Sequence, residues 1–157
     1  THKPNMTLGL VLDYMAALER DAASMWPADR IRFEEAAEKL SRIRHLRGDR
    51  YADRVRRELN SLLGSWEWFI DGCEKGDGDC PDDYPAEVWI RTRIADLLNE
   101  ARGIELNTSD EEERLADLDR RLDDMFSPGA YIGPQGLEAD RPADTHWWLY
   151  GRPVAAA

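Results

Sequence analysis

The spacing of apolar residues along the chain is helical almost throughout, and this constrains the fold more than any other feature. In the first stretch, Leu8, Val11 and Met15 recur at the three- and four-residue intervals that place side chains on one face of an α-helix. No stretch has a convincing strand pattern, and only 130–132 and 147–150 leave room for short strands. We therefore expect an all-α fold with five helices, at about 7–25, 29–47, 49–70, 84–103 and 109–126.

Residues that start and end helices separate these segments. Gly48 and Asp49 form a very short link, so we expect the second and third helices to lie antiparallel as a hairpin. Gly, Asp and Pro concentrate in 71–84, which we interpret as a loop. After 127–129 the chain becomes irregular.

A length of 157 residues is typical of one domain. We expect a single helical bundle over residues 7–126 and an irregular aromatic tail over 127–154 that packs on it. Residues 1–5, ahead of the first Met, and the alanines 155–157 resemble segments added by cloning. No apolar run approaches the roughly 18 residues of a membrane span, so we expect no membrane partner.

Two cysteines, Cys73 and Cys80, stand in the expected loop. Two cysteines in a chain of this size are not a disulfide framework, and a bond between them would close only a short loop. We interpret them as unpaired thiols in a reducing, cytoplasmic setting, with a disulfide as the alternative.

Acidic residues outnumber basic ones, 32 against 21, which gives a net charge of −11. This balance disfavours generic nucleic-acid binding, which requires a cationic surface. The charge is uneven, because 20–66 holds 11 basic and 8 acidic residues whereas 67–86 holds 1 basic and 7 acidic. We interpret the arginines of the basic stretch mainly as solvated partners of acids, and alternatively as a phosphate site that includes Arg54 and Arg57.

Glutamates flank the apolar faces of the second and third helices. Glu34, Glu35 and Glu38 occupy adjacent ridges of the second helix, and Glu58 lies at the edge of the third helix's apolar face. An antiparallel hairpin can bring these carboxylates together, and a divalent cation such as Mg²⁺ would then relieve their repulsion. They are candidate metal ligands, and the alternative is a charged helix edge with Glu–Arg pairs.

The order E-E-x-x-E, a Gly-Asp turn and E-L-x-x-L-L, over about residues 27–70, resembles the MazG-type all-α nucleoside triphosphate pyrophosphohydrolases. In that family the first helix supplies E-E-x-x-E and the next supplies E-x-x-D, and together they hold Mg²⁺ for cleavage between the α- and β-phosphates. The resemblance implies the same role for Glu34, Glu35, Glu38 and Glu58. The family's aspartate falls at Ser61, which departs from the pattern.

The chain is rich in tryptophan. Trp66 lies on the apolar stripe of the third helix and is expected in the core, whereas Trp68 lies off that stripe. Trp147, Trp148 and Tyr150 follow in the tail. Either the tail folds back over the bundle, or these aromatics and Trp68 anchor a partner, since Trp and Tyr dominate the energetics of many interfaces.

We therefore expect a small, acidic helical protein that acts by binding, with a protein partner or a second copy of itself. A basic partner, which the acidic surface could neutralise, fits this charge. The alternative is a Mg²⁺-dependent, MazG-like pyrophosphohydrolase that is degenerate in its second motif.

Overall fold

The computed structural model describes residues 7–154 and confirms an all-α bundle, with a small sheet near its C-terminal end. The expectations for 1–5 and 155–157 lie outside the described residues. None of the helices in 7–154 combines the length and the apolarity that crossing a membrane requires. The elements are α1 (Leu8–Asp21), α2 (Pro27–Leu46), α3 (Gly48–Lys75), α4 (Cys80–Glu87), α5 (Trp89–Gly103), α6 (Ser109–Asp123), β1 (Phe126–Tyr131), a 3₁₀ turn (Trp147–Leu149) and β2 (Tyr150–Pro153).

Several helix boundaries differ from those expected, mainly around the cysteines. The expected loop over 71–84 is reduced to 76–79, because α3 continues beyond the loop's predicted start and α4 begins before its predicted end. Pro81 lies in the first turn of α4, where a residue without an N–H group leaves no helical hydrogen bond unmade. The expected fourth helix is divided at Val88 into α4 and α5.

The antiparallel pair of β1 and β2 is the clearest addition to the helices that we expected. Phe126 lies opposite Pro153 at one end of the pair. Gly151 allows the strands to approach, because its φ is +140° and a Cβ atom there would lie 2.2 Å from the carbonyl oxygen of Ser127. Any other residue at this position would force the strands apart.

The described chain divides into two compact units. Unit 1 comprises residues up to 59 together with 96–107, and unit 2 comprises 60–95 together with the residues from 108 onward. The helices α3 and α5 each contribute to both units. Residues 127–154 belong to unit 2, so the expected tail packs with the helices of this unit, and it contains two short strands in addition to irregular segments.

Unit 1 has a small core and one helix that lies largely in solvent. No residue of α2 is fully buried, although this helix has 20 residues. The buried hydrophobic residues of the unit are supplied mainly by α3 and α5, and they are Leu8, Tyr51, Val55, Leu59, Leu97, Leu98 and Ala101.

A charged cluster joins three helices of unit 1. Arg44 of α2 donates two hydrogen bonds to the carboxylate of Glu100 of α5, at 2.6 and 2.8 Å. The hydroxyl of Tyr51 of α3 donates to the same carboxylate at 2.5 Å. Burial, reinforced by this hydrogen bond, raises the pKa of Tyr51 to about 12.

Unit 2 has a core in which aromatic rings contact one another. The ring centroids of Trp66 and Phe69 on α3 lie 5.5 Å apart, and Tyr84 of α4 lies 6.2 Å from each of them. Trp66 is fully buried, as its place on the apolar stripe predicts. The other fully buried large side chains of this unit are Leu63, Ile70, Ile94, Leu118, Leu122, Leu149 and Pro153.

Replacing Tyr51 with Phe is expected to reduce the loss of stability at alkaline pH. Below about pH 10 the phenol is protonated in both the folded and the unfolded chain, so its contribution is fully present. Above that pH the unfolded chain loses the proton first, and the free energy of unfolding falls as the pH rises towards the folded pKa of about 12. Denaturant unfolding of both proteins at about pH 9 and about pH 11 measures the difference. Tyr84 is present in both proteins, so any contribution it makes to the loss of stability at alkaline pH is the same in each. An equal loss in the two proteins would therefore contradict the assignment of this loss to Tyr51.

Candidate functional site

The aromatic segment that precedes β2 folds back onto the helices of unit 2. Trp148 is buried, and its Nε1–H donates to the Thr92 hydroxyl at 3.0 Å. The Tyr84 hydroxyl donates to the carbonyl oxygen of Trp148 at 2.6 Å. Trp148 is therefore not the exposed partner anchor that the sequence suggested, because its ring is buried and its N–H group is hydrogen-bonded inside the unit.

A buried arginine completes the attachment of this segment. The guanidinium carbon of Arg91 lies 3.8 Å from the ring centroid of Trp148. The same guanidinium donates two hydrogen bonds to Asp119 of α6, at 2.7 and 2.8 Å. Arg91 thus links α5 with α6 and with the aromatic segment.

The two remaining candidates in this segment are half-buried. The ring of Trp147 stands edge-on to Phe126, with centroids 5.2 Å apart. The Tyr150 hydroxyl donates to the carbonyl oxygen of Arg141 at 2.9 Å. Both side chains contribute to the packing of unit 2, and only part of each surface is accessible.

Trp68 is the most exposed of the predicted partner-binding residues. Its side chain is 79% exposed, whereas Trp66 is fully buried. Residues two positions apart lie on nearly opposite faces of a helix, so packing Trp66 into the core directs Trp68 to solvent. Trp68 lies between two surface grooves of unit 2 and lines both of them.

The first groove, which we call the Trp89 groove, has a volume of about 500 Å³. Helix α3 supplies short side chains to it, and α4 and α5 supply one carboxylate and a second indole. Trp89 is 44% exposed. Its principal lining residues are Ser61, Gly64, Ser65, Trp68, Glu87 and Trp89.

The second groove, which we call the disulfide groove, has a volume of about 310 Å³. It lies where α3 ends and α4 begins, and acidic side chains predominate among its charged residues. Its principal lining residues are Trp68, Asp71, Lys75, Asp77, Asp83 and the cystine of residues 73 and 80.

Cys73 and Cys80 form a disulfide, with Cα atoms 5.2 Å apart. The expectation of two unpaired thiols is therefore wrong. The reason is that α3 extends through Cys73 and α4 starts at Cys80, which leaves a turn of four residues that returns one cysteine to the other. The cytoplasmic location was inferred from reduced thiols, and the disulfide removes that reason, because such bonds persist mainly in oxidising compartments.

Negative charge is concentrated beside the disulfide groove. The pKa of Asp79 is raised, mainly because the neighbouring carboxylate of Asp82 repels its negative charge. On the α3 side, hydrogen bonds from Arg121 lower the pKa of both Asp71 and Glu74. The acids of the turn and of the start of α4 thus repel one another, and a cation bound there would relieve that repulsion.

Glu58 has a structural role in unit 1. Its carboxylate accepts hydrogen bonds from the backbone N–H groups of Leu8 and Gly9, at 2.9 and 2.6 Å. These groups lie in the first turn of α1, where N–H groups have no partner within the helix. Thr7 caps the same end, because its hydroxyl accepts from the N–H of Leu10 at 3.2 Å.

The other candidate metal ligands lie exposed on α2. Glu38 forms an ion pair with Arg42 of the same helix, and Glu34 and Glu35 are exposed beside it. Within residues 7–154, no group of three or more His, Cys, Asp or Glu side chains is arranged to hold a metal ion. The structure therefore does not group Glu34, Glu35, Glu38 and Glu58 as the ligands of one metal ion within the described residues.

The candidate phosphate ligands Arg54 and Arg57 are exposed on α3 in unit 1. Arg44, another arginine of the basic stretch, forms an ion pair with Glu100, as the interpretation of paired arginines predicts. Phosphate binding by Arg54 and Arg57 remains a prediction from the sequence.

Sequence reasoning missed Trp89 and Glu87 as site residues. Trp89 interrupts the apolar stripe that runs through Val88, Ile90 and Ile94, which is the same signal that marked Trp68 on α3. Glu87 carries no such signal, because an acidic residue at a helix end is common and its proximity to α3 depends on the tertiary fold.

Comparison of the chain with protein-family models, with curated proteins and with solved structures gives no match.

Replacing Glu58 with Ala is expected to lower the free energy of unfolding by about 1–2 kcal/mol, because two N–H groups of α1 lose their acceptor. Glu34→Ala is the matched control, since it removes an exposed glutamate of α2 and is expected to change stability by about 0.5 kcal/mol or less. Denaturant unfolding measures both variants. Equal effects of the two would show that Glu58 does not cap α1.

The unreduced protein is expected to resist alkylation by iodoacetamide even in denaturant, and the reduced protein to react at both cysteines. Denaturant is needed because both residues are buried in the folded chain. Mass spectrometry counts the adducts. Reduction is also expected to cost about 2–3 kcal/mol of stability, as the loss of a short covalent loop implies. Alkylation without reduction would contradict the disulfide.

Proposed function

We propose that the protein acts by binding a protein partner, and that a basic segment of this partner lies against Trp68 and the two grooves beside it. The observation that supports this most directly is the 79% exposure of Trp68 between two grooves of unit 2 that both contain carboxylates. The proposal keeps the binding function that the sequence favoured. It assigns the main contact to Trp68 of α3 instead of the aromatic tail.

The exposed indole is the anchor in this proposal. Tryptophan is among the residue types that most often dominate binding energy, because burying its large surface removes much apolar area from water. An anchor also needs neighbouring surface that excludes water from the contact. The grooves on either side of Trp68 provide that surface, since each can receive side chains of a bound segment.

The charge around the grooves determines the sign of the charge that the partner must carry. Residues 67–86 carry 7 acidic and 1 basic side chains. Arg114 and Arg121 pair with the acids of α3, so the least compensated carboxylates are those between Asp77 and Asp83. Asp77 and Asp83 line the disulfide groove, and the mutual repulsion of the acids in the adjacent turn raises the pKa of Asp79. A lysine- or arginine-rich segment would relieve this repulsion and would be drawn to the surface by long-range attraction.

Replacing Trp68 with Ala is expected to weaken the binding of basic peptides by about tenfold or more, as for a hot-spot aromatic residue. Trp26→Ala is the matched control, because Trp26 is also 79% exposed but lies in unit 1. A library of short basic peptides with apolar residues at varied positions serves as the probe, and surface plasmon resonance measures affinity. Acidic peptides of the same lengths are the negative set.

Circular dichroism of both variants verifies that the helices are intact. Weaker binding by Trp68→Ala alone supports the proposed surface. Equal losses for the two variants, or no affinity of the wild type for any peptide in the basic library, would overturn it.

A further inference from the structure

We infer that the Trp89 groove binds the guanidinium group of an arginine side chain in the partner's basic segment. This inference rests on the proposed function and specifies which residue type enters this groove. It is drawn from the aromatic side chains of the groove, from its one carboxylate and from the short residues of its floor.

The aromatic side chains favour a planar cation. Indole rings attract cations more strongly than the other aromatic side chains do. The chain itself places a guanidinium on Trp89, because the central carbon of Arg93 lies 4.2 Å from the ring centroid. Trp68 adds a second indole to the same groove. Guanidinium is flat and stacks on indole rings, whereas an ammonium group is compact and more strongly hydrated.

The carboxylate sets the charge of the occupant. Glu87 is half-buried, and it is the only charged side chain among the described residues that line this groove. Arg93 lies on the ring of Trp89 but does not line the groove, so one carboxylate beside apolar surface is left to balance one monovalent cation. The bidentate geometry that guanidinium forms with a carboxylate makes arginine the better fit.

The floor of the groove leaves room for the partner's arginine side chain and offers it an additional hydrogen-bond acceptor. Ser61, Gly64 and Ser65 are short, and a Cβ atom at Gly64 would meet nothing within 4 Å. The Ser65 hydroxyl donates to the carbonyl oxygen of Ser61 at 3.2 Å, so the lone pairs of this hydroxyl oxygen can accept an N–H bond. A volume of about 500 Å³ is ample for one arginine side chain.

The test compares peptides that differ only at their arginines. From the basic library, one peptide that depends on Trp68 is made with arginine, with lysine and with citrulline, which keeps the shape of arginine but has no charge. We expect about a tenfold loss of affinity for the citrulline form and a smaller loss for the lysine form. Isothermal titration calorimetry measures all three.

Two glycine variants locate the preference in one groove. Gly64→Leu fills the Trp89 groove, and Gly72→Leu fills the disulfide groove, while neither position has an atom within 4 Å of an added Cβ. Both replacements remove a glycine from a helix interior, so the fold is expected to be retained. We expect Gly64→Leu to abolish the preference for arginine over citrulline, Glu87→Gln to reduce it because the two indoles remain, and Gly72→Leu to preserve it.

The outcomes separate this inference from the proposed function. If no basic peptide binds the wild type, the proposed function fails and the inference fails with it. If basic peptides bind through Trp68 but the arginine, lysine and citrulline forms are equal, only the inference is overturned. It is also overturned if Gly64→Leu leaves the preference unchanged, or if tetramethylammonium competes as well as free guanidinium, since the groove would then accept any cation.

Discussion

The guanidinium of Arg91 connects the parts of unit 2 on which the candidate site depends. It is buried at 6% exposure, where an unpaired charge would cost several kcal/mol. Asp119 of α6 balances that charge with two hydrogen bonds, and the face of Trp148 covers the group. Because these contacts hold α5 beside α6 and fix the aromatic segment, α5 keeps the position from which Trp89 lines its groove.

Local patterns were enough to predict the helices and one residue of the site. The apolar stripe of α3 placed Trp66 in the core and Trp68 outside it, and both placements follow from helical geometry alone. The same stripe continues at Ile70 and Cys73, so the extra helical turns before the disulfide were visible in the sequence. Gly and Asp over 71–79 favour a loop at the same place, and this conflict with the apolar spacing accounts for the difference.

Contacts between distant residues could not be predicted in this way. The burial of Trp148 depends on Thr92 and Arg91, which lie more than 50 residues earlier in the chain. The role of Glu58 likewise depends on α1 presenting its N-terminal N–H groups to α3. A helical pattern shows which face a carboxylate occupies but not what that face meets, so a capping residue and a metal ligand look alike in the sequence.

The disulfide affects the candidate site because it restricts the movement of the helices that form the grooves, in addition to stabilising the fold. The grooves beside Trp68 are built on α3, α4 and α5, and the bond between Cys73 and Cys80 ties the end of α3 to the start of α4. Walls that are already ordered lose little conformational entropy when a segment binds, so more of the contact energy appears as affinity. In a small acidic protein this matters because attraction between exposed charges is weakened by salt. An indole held on a fixed helix supplies a contact that salt does not screen, and the surrounding carboxylates then serve mainly to select a basic segment.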